Sequence, residues 1–249
     1  MKKTITVLLT VSGALLVAAA PAQAAAKDPV RALKAEMVAG HGVRFTETAN
    51  WSDGLDTLQA YTNKGVFQFG KKGPVGYDIA SIAYDDAKDR AISIGRNTYY
   101  SGEYVADFLP KGKTWFRFEG GGAMPFLYAQ VLNPAEPATL SALLAKGTRA
   151  GRKVTGKITF KDLDKVSPWF SGSDLSDWAG DTEVSYTLTL TSAGLVSKLS
   201  SSFRAKGTKN EYADFEGDII EVDTRYTGWG GKVSVKAPDP KTVTGNSSG

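Results

Sequence analysis

The chain reads as an α+β protein dominated by antiparallel sheet, and three observations carry that reading. Apolar residues recur at every second position: Phe67 and Phe69 flank Gln68, Phe116 and Phe118 flank Arg117, and Leu188 and Leu190 flank Thr189. The same alternation runs through Ile220-Glu221-Val222-Asp223-Thr224-Arg225-Tyr226 and Val233-Ser234-Val235. A period of two describes sheets that are dry on one face and wet on the other. Turn signals such as Lys71-Lys72-Gly73-Pro74, Ser192-Ala193-Gly194 and Gly228-Trp229-Gly230-Gly231 separate these runs, so consecutive strands join as hairpins and a meander. Helical spacing is confined to a few segments.

At the start, Lys2 and Lys3 precede an uncharged run from Thr4 to Ala20 and the small-residue triplet Ala22-Gln23-Ala24. That is the pattern of a secretory signal peptide, here covering residues 1–24, and cleavage is expected after Ala24. The remainder of the chain is long enough for one large domain, expected over residues 25–240, with a polar flexible tail over 241–249. Val30, Leu33, Met37 and Val38 lie on one helical face, with Asp28 placed to cap and Pro29 at the first helical position. Gly40 and Gly42 end that helix. Two later stretches break the β rhythm. Pro125 to Leu132 followed by Ala138 to Ala145 reads as a helical pair split near Pro134 and Pro137, and Ser167 to Trp178 as a short helix or ordered loop.

Composition narrows the chemistry. The sequence has no cysteine, which excludes disulfides, thiolate nucleophiles, cysteine metal sites and the acylated cysteine of a bacterial lipoprotein. A soluble, extracytoplasmic protein without a lipid anchor or a membrane span in its mature part is therefore expected. Its one histidine, His41, sits between two glycines in a helix-to-strand turn, and no Gly-x-Ser-x-Gly elbow accompanies it. No metal site and no cofactor are expected. Asp174, Asp177 and Asp181 lack the ligand spacing of a calcium loop and read as a solvated acidic loop. Without Lys2 and Lys3, 28 basic residues face 26 acidic ones. The bases are scattered along the chain with no basic stripe, so nucleic acid is not an expected partner.

Several segments, taken in order, resemble the LolA-like lipoprotein-carrier proteins and the related LprG- and LppX-type lipid-binding proteins of actinobacteria. Gly42 to Thr48 resembles the opening strand, Gly65 to Pro74 the second strand with its basic-proline turn, and Gly95 to Tyr100 a later turn and strand. Met124 to Tyr128 stands where that family places its apolar central helix. Tyr186 to Val196 resembles a hairpin, with Thr191-Ser192-Ala193-Gly194 replacing the usual acidic turn, and Tyr226 to Pro238 is similar to the closing pattern. The resemblance implies an incompletely closed antiparallel half-barrel whose concave face is covered by helices, with an apolar cavity between them. It also implies a carrier or binding protein, not an enzyme, for an acylated or lipid-like ligand, acting as a monomer in the cell envelope with an envelope transport partner. Alternatives are an envelope sensor of the same fold and a carboxylate-based hydrolase, the latter needing two buried acids facing one cleft. On the carrier reading, the cavity is lined from the sheet by Phe45, Phe67, Phe69, Phe116, Phe118, Leu188, Leu190 and Val222, and from the covering helix by Phe126, Leu127 and Val131.

N-terminal sequencing of the exported protein is expected to begin at or near Ala25; a membrane-retained product that still carries Met1 would contradict the export signal.

Overall fold

The computed structural model describes residues 27–119, 130–207 and 216–245. Its first element confirms the capping logic. The helix α1 (Pro29–Glu36) begins with Pro29 at its first position, and the Asp28 carboxylate accepts from the backbone N–H groups of Val30 and Arg31. The chain then enters β1 (His41–Ser52), β2 (Thr57–Phe69), β3 (Pro74–Ala83), β4 (Lys88–Ile94) and β5 (Asn97–Gly102). A one-turn helix, α2 (Glu103–Ala106), and β6 (Trp115–Glu119) complete the first half.

After a crossing segment comes α3 (Pro137–Lys146), followed by β7 (Thr148–Ala150) and β8 (Lys153–Thr159). The short helices α4 (Phe160–Asp164) and α5 (Pro168–Ser171) and a 3-10 turn at Asp174–Asp177 precede β9 (Glu183–Leu190), β10 (Val196–Arg204) and β11 (Ile219–Lys232). A last short strand, β12, spans Val243–Gly245.

These strands form one open sheet in the order β12-β6-β5-β4-β3-β2-β1-β11-β10-β9-β8-β7. Two meanders therefore run outward from a central seam, where the first long strand pairs antiparallel with the last, Phe45 opposite Tyr226 and Glu47 opposite Thr224. The seam joins partners separated by most of the chain, so its closure is entropically costly. Burial alternates along the long strands, as on β9 and β11: Val184, Tyr186, Leu188 and Leu190 are buried on β9, as are Ile220, Val222, Thr224 and Tyr226 on β11.

All of these point to the inner face of the half-barrel. Over that face pack Leu33 and Met37 of α1, Val131, Leu132 and Ala135 of the crossing segment, and Leu140 and Leu143 of α3. Phe160, Leu163, Trp169, Phe170, Leu175 and Trp178 of the later helices complete the same core. The expected class, an incompletely closed antiparallel sheet with helical cover, is the observed one.

Two local expectations are corrected. The expected helix does not reach Leu132, since Gln130 to Leu132 are irregular; residues 125–129 lie outside the described residues. Backbone donors here go to side chains instead of a helical ladder, Gln130 N to Glu47 and Leu132 N to the Gln130 amide oxygen. Asn133 and Glu136 each precede a proline, which disfavours the α conformation, and Glu136 is extended with φ −92° and ψ 119°. The polar tail expected from Lys241 is also partly ordered. Val243 to Gly245 add a parallel strand beside Trp115 to Arg117 at the sheet margin, where β-branched Val243 and Thr244 suit an edge.

One glycine decides how closely the sheet and its aromatics approach. Gly65 lies between Phe45 and Ile79 in the registers of β1, β2 and β3, and a Cβ there would stand 2.7 Å from the Phe45 ring and 2.9 Å from Ile79. Both neighbours are buried and hemmed in, so Gly65→Val is expected to lower unfolding free energy by about 1–3 kcal/mol in urea titration. Lys64→Ala, on the outer face, should stay within about 0.5 kcal/mol.

Candidate ligand-binding face

The alternation that points Val43, Phe45 and Ala49 inward points Glu47 inward with them, because residues two apart on a strand share a face. A buried acid results, and its surroundings are built to receive it. Asn63 of β2 donates its amide to Glu47 Oε1 at 2.8 Å, and the backbone N–H of Gln130 donates to the same oxygen at 3.1 Å. The Thr224 hydroxyl donates to Oε2 at 2.9 Å. Ser81 in turn donates to the Asn63 carbonyl at 2.6 Å. Burial pushes the Glu47 carboxyl above its ordinary range, against the lowering pull of the Asn63, Thr224 and Gln130 donors.

Gln130 is the counterpart from the cover. Its side-chain amide donates to Val222 O at 3.4 Å and Thr224 Oγ1 at 3.3 Å, and its amide oxygen accepts from Ser201 at 2.6 Å. Its backbone carbonyl accepts from the Trp169 indole N–H at 2.7 Å. One residue thus ties the crossing segment to three strands and to α5.

A second buried acid organises the cover itself. Glu136 accepts from Thr139 of α3 at 2.8 Å, from Ser167 at 2.6 Å and from the backbone N–H of Trp169 at 2.8 Å, so the crossing segment, α3 and the start of α5 are joined at one carboxyl. Burial raises its pKa too, opposed by those three donors.

Around this polar centre stands an aromatic cluster. Phe45 stacks on Phe67 with ring centroids 5.1 Å apart, and Trp169 meets Phe67 and Tyr77 edge-on at 5.2 and 5.5 Å. Phe45, Glu47, Asn63, Phe67, Ile79, Gln130, Leu132, Asn133, Trp169 and Tyr226 enclose a cavity of about 10 Å³, room for about one water molecule. Glu136 does not border it, so the two raised carboxyls do not face one cleft as a hydrolase pair would require.

Of the residues expected to line a cavity, Phe45 and Phe67 border this one. Phe69, Val131, Leu188, Leu190 and Val222 are buried in the continuous core around it. Phe116 is half-buried, and Phe118 is 53% exposed. Phe118 is thereby corrected as a lining residue. It belongs to β6, three strands beyond Tyr77 of β3, the outermost position that Trp169 reaches. Phe126 and Leu127 lie outside the described residues.

The residues that sequence reasoning missed are Glu47, Asn63, Ile79, Gln130, Leu132, Asn133, Trp169 and Tyr226. Strand parity alone could have flagged Glu47 and Asn63 as inward polar groups. Among the described residues no group of three or more His, Asp or Glu side chains converges as a metal site would require. His41 is engaged with the Gly230 carbonyl, 2.6 Å from Nδ1.

A carboxyl whose pKa is raised in the folded state contributes stability that is present below its unfolded pKa and lost as pH rises through the folded one. Glu47 and Glu136 both act in that direction. The urea midpoint of the parent is therefore expected to fall as pH rises from about 4.5 toward neutrality. Glu47→Gln should flatten that fall, since an amide does not titrate. Glu47→Leu strands three donors and should cost at least about 3 kcal/mol at every pH. An unchanged slope in Glu47→Gln would contradict this assignment.

No family model matches the chain, and no curated protein sequence matches it. Solved structures do resemble it. LprF from Mycobacterium bovis overlaps with a TM-score of 0.46 at 15% identity, covering 84% of this chain and 96% of that one. The lipoprotein LppX from Mycobacterium tuberculosis gives 0.40 at 10% identity, with the same coverages of 84% and 96%. A LolA superfamily protein from Nitrosomonas europaea gives 0.32 at 9%, covering 82% and 91%. These are likenesses of backbone course at low identity.

Proposed function

We propose that this chain is a binding protein that takes an acyl chain between the inner face of its open sheet and the cover formed by residues 130–146 and 160–178, and that it does so outside the cytoplasm without chemical conversion of the ligand. The observation that supports this most is where the aromatic cluster lies. Phe45, Phe67, Tyr77 and Trp169 meet at the junction of sheet and cover, beside the irregular residues Gln130 to Asn133.

Sites for ligands of that size measure about 300–1,000 Å³, and the cavity here is about 10 Å³. An acyl chain therefore enters only by moving the cover, with Leu132 and Trp169 giving up their places. The exchange sets new apolar burial against the core contacts and hydrogen bonds of the cover. A dozen buried methylenes contribute on the order of 10 kcal/mol at about 0.8 each. Four Gln130 bonds to the sheet, at about 1 kcal/mol apiece, oppose it. The Glu136 ties lie within the cover and survive its movement as a unit.

A stearate dibrominated at mid-chain quenches tryptophan on contact. Titrated into the parent, it is expected to give saturable quenching that largely disappears in Trp169→Phe, whereas binding followed by native mass spectrometry stays within about fivefold. Absence of saturable quenching, or quenching unchanged in Trp169→Phe, would place any ligand elsewhere and overturn this reading.

A further inference from the structure

Part of the positive charge of this chain, scattered in sequence, gathers at one end of the sheet. In an antiparallel meander every second turn falls at the same end of the sheet. The turn after β2 carries Lys71 and Lys72, the turn after β4 carries Arg96, and the turn between β7 and β8 carries Arg152 with Lys153 directly after it. The central seam ends there as well, with His41 opposite Lys232 and Gly42 opposite Gln68 near the end of β2. The β9–β10 turn shares this end, since Lys153 pairs with Thr189 just before it.

Lys71, Lys72, Arg96, Arg152, Lys153 and Lys232 are all exposed, and none of the ion pairs among the described residues includes them. The opposite end has the opposite character. Its turns hold Asp53 and Asp56, Asp85 and Asp86, and Asp174 and Asp181. Two lysines there are ion-paired, Lys157 with Glu183 and Lys206 with Asp181, while Lys88 and Lys111 stand exposed among the acids.

From the β4–β5 turn to the β7–β8 turn the rim crosses eight strands, on the order of 40 Å at about 4.8 Å per strand. The six side chains project from turn tips and strand ends along that line instead of converging on a pocket. A single small anion would need convergence, whereas an extended plane of negative charge matches a row. Val38 and Val75 stand about half-exposed, Val75 in the first residues of β3 directly after the Lys71–Lys72 turn and Val38 three residues before β1. Bases interspersed with modest apolar side chains suit the boundary between headgroups and acyl chains. We propose that this rim is the surface by which the protein lies against an anionic lipid bilayer, its lysines and arginines engaging the headgroup phosphates.

Co-sedimentation with vesicles tests it. The parent is expected to bind phosphatidylcholine vesicles containing about one-third phosphatidylglycerol at low salt, to leave them at high salt, and to ignore vesicles of phosphatidylcholine alone. The rim variant Lys71→Glu, Lys72→Glu, Arg152→Glu, Lys153→Glu should bind at least about 100-fold more weakly, since each base near such a surface contributes roughly fivefold. The same four positions changed to glutamine should give an intermediate loss, and both variants should keep the circular dichroism of the parent. A control with the same net charge, Lys64→Glu, Lys88→Glu, Lys111→Glu, Lys161→Glu, should stay within about threefold of the parent. Equal loss in the control would mean that net charge acts and the rim does not. That result would overturn the proposal, as would equal binding to uncharged vesicles, or binding to poly-L-glutamate without binding to vesicles.

Discussion

A twelve-stranded sheet that does not close leaves its inner face to be covered by something else in the chain, and the other features of this molecule depend on how that is done. Residues 130–146 of the connection between β6 and β7 supply part of the cover, packing Val131, Leu132, Ala135, Leu140 and Leu143 onto the apolar face. Prolines 134 and 137 prevent that passage from becoming one continuous helix. Its polar backbone groups therefore need partners from the sheet. Gln130 finds them, and the Glu47 carboxyl is the acceptor at the bottom of the face.

The polar centre and the aromatic cluster have opposite roles in this arrangement. Apolar contact between Trp169, Phe67 and Tyr77 provides affinity without direction, and it could be made equally well with a methylene chain. Hydrogen bonds at Glu47, Thr224, Ser201 and Gln130 fix one register between cover and sheet, since a buried donor displaced from its acceptor loses more than it gains nearby. Glu136 adds rigidity within the cover, so that the crossing segment, α3 and α5 shift together if they shift at all.

The class of fold was legible because period-two alternation and turn residues are local signals, as β9 and β11 show. The capped first helix was legible for the same reason. What escaped depends on partners distant in sequence. Gln130 bonds to Glu47 across 83 residues and to Thr224 across 94, and nothing in its own neighbourhood marks it. Glu47 was legible in principle from the parity of Val43, Phe45 and Ala49, but a charged residue between apolar positions reads at first as an outward one. Phe118 illustrates the converse, since its sequence alternation is sound yet its side chain is exposed, three strands beyond the Tyr77 that Trp169 touches. The basic rim needed the strand order, because a lysine in a turn has no end of the sheet until its strand has neighbours.

Hydrogen exchange at single amides tests most directly whether sheet and cover are separable bodies. The backbone N–H of Gln130, bonded to Glu47, and that of Trp169, bonded to Glu136, are buried. If the cover opens as a unit, both should exchange at one common rate well above that of the seam amides of Phe45 and Tyr226, which are expected to exchange only on global unfolding. An acyl ligand should slow the cover amides and leave the seam unchanged. Exchange of cover and seam at the same global rate, with and without ligand, would contradict a movable cover and leave the inner face as a packed core.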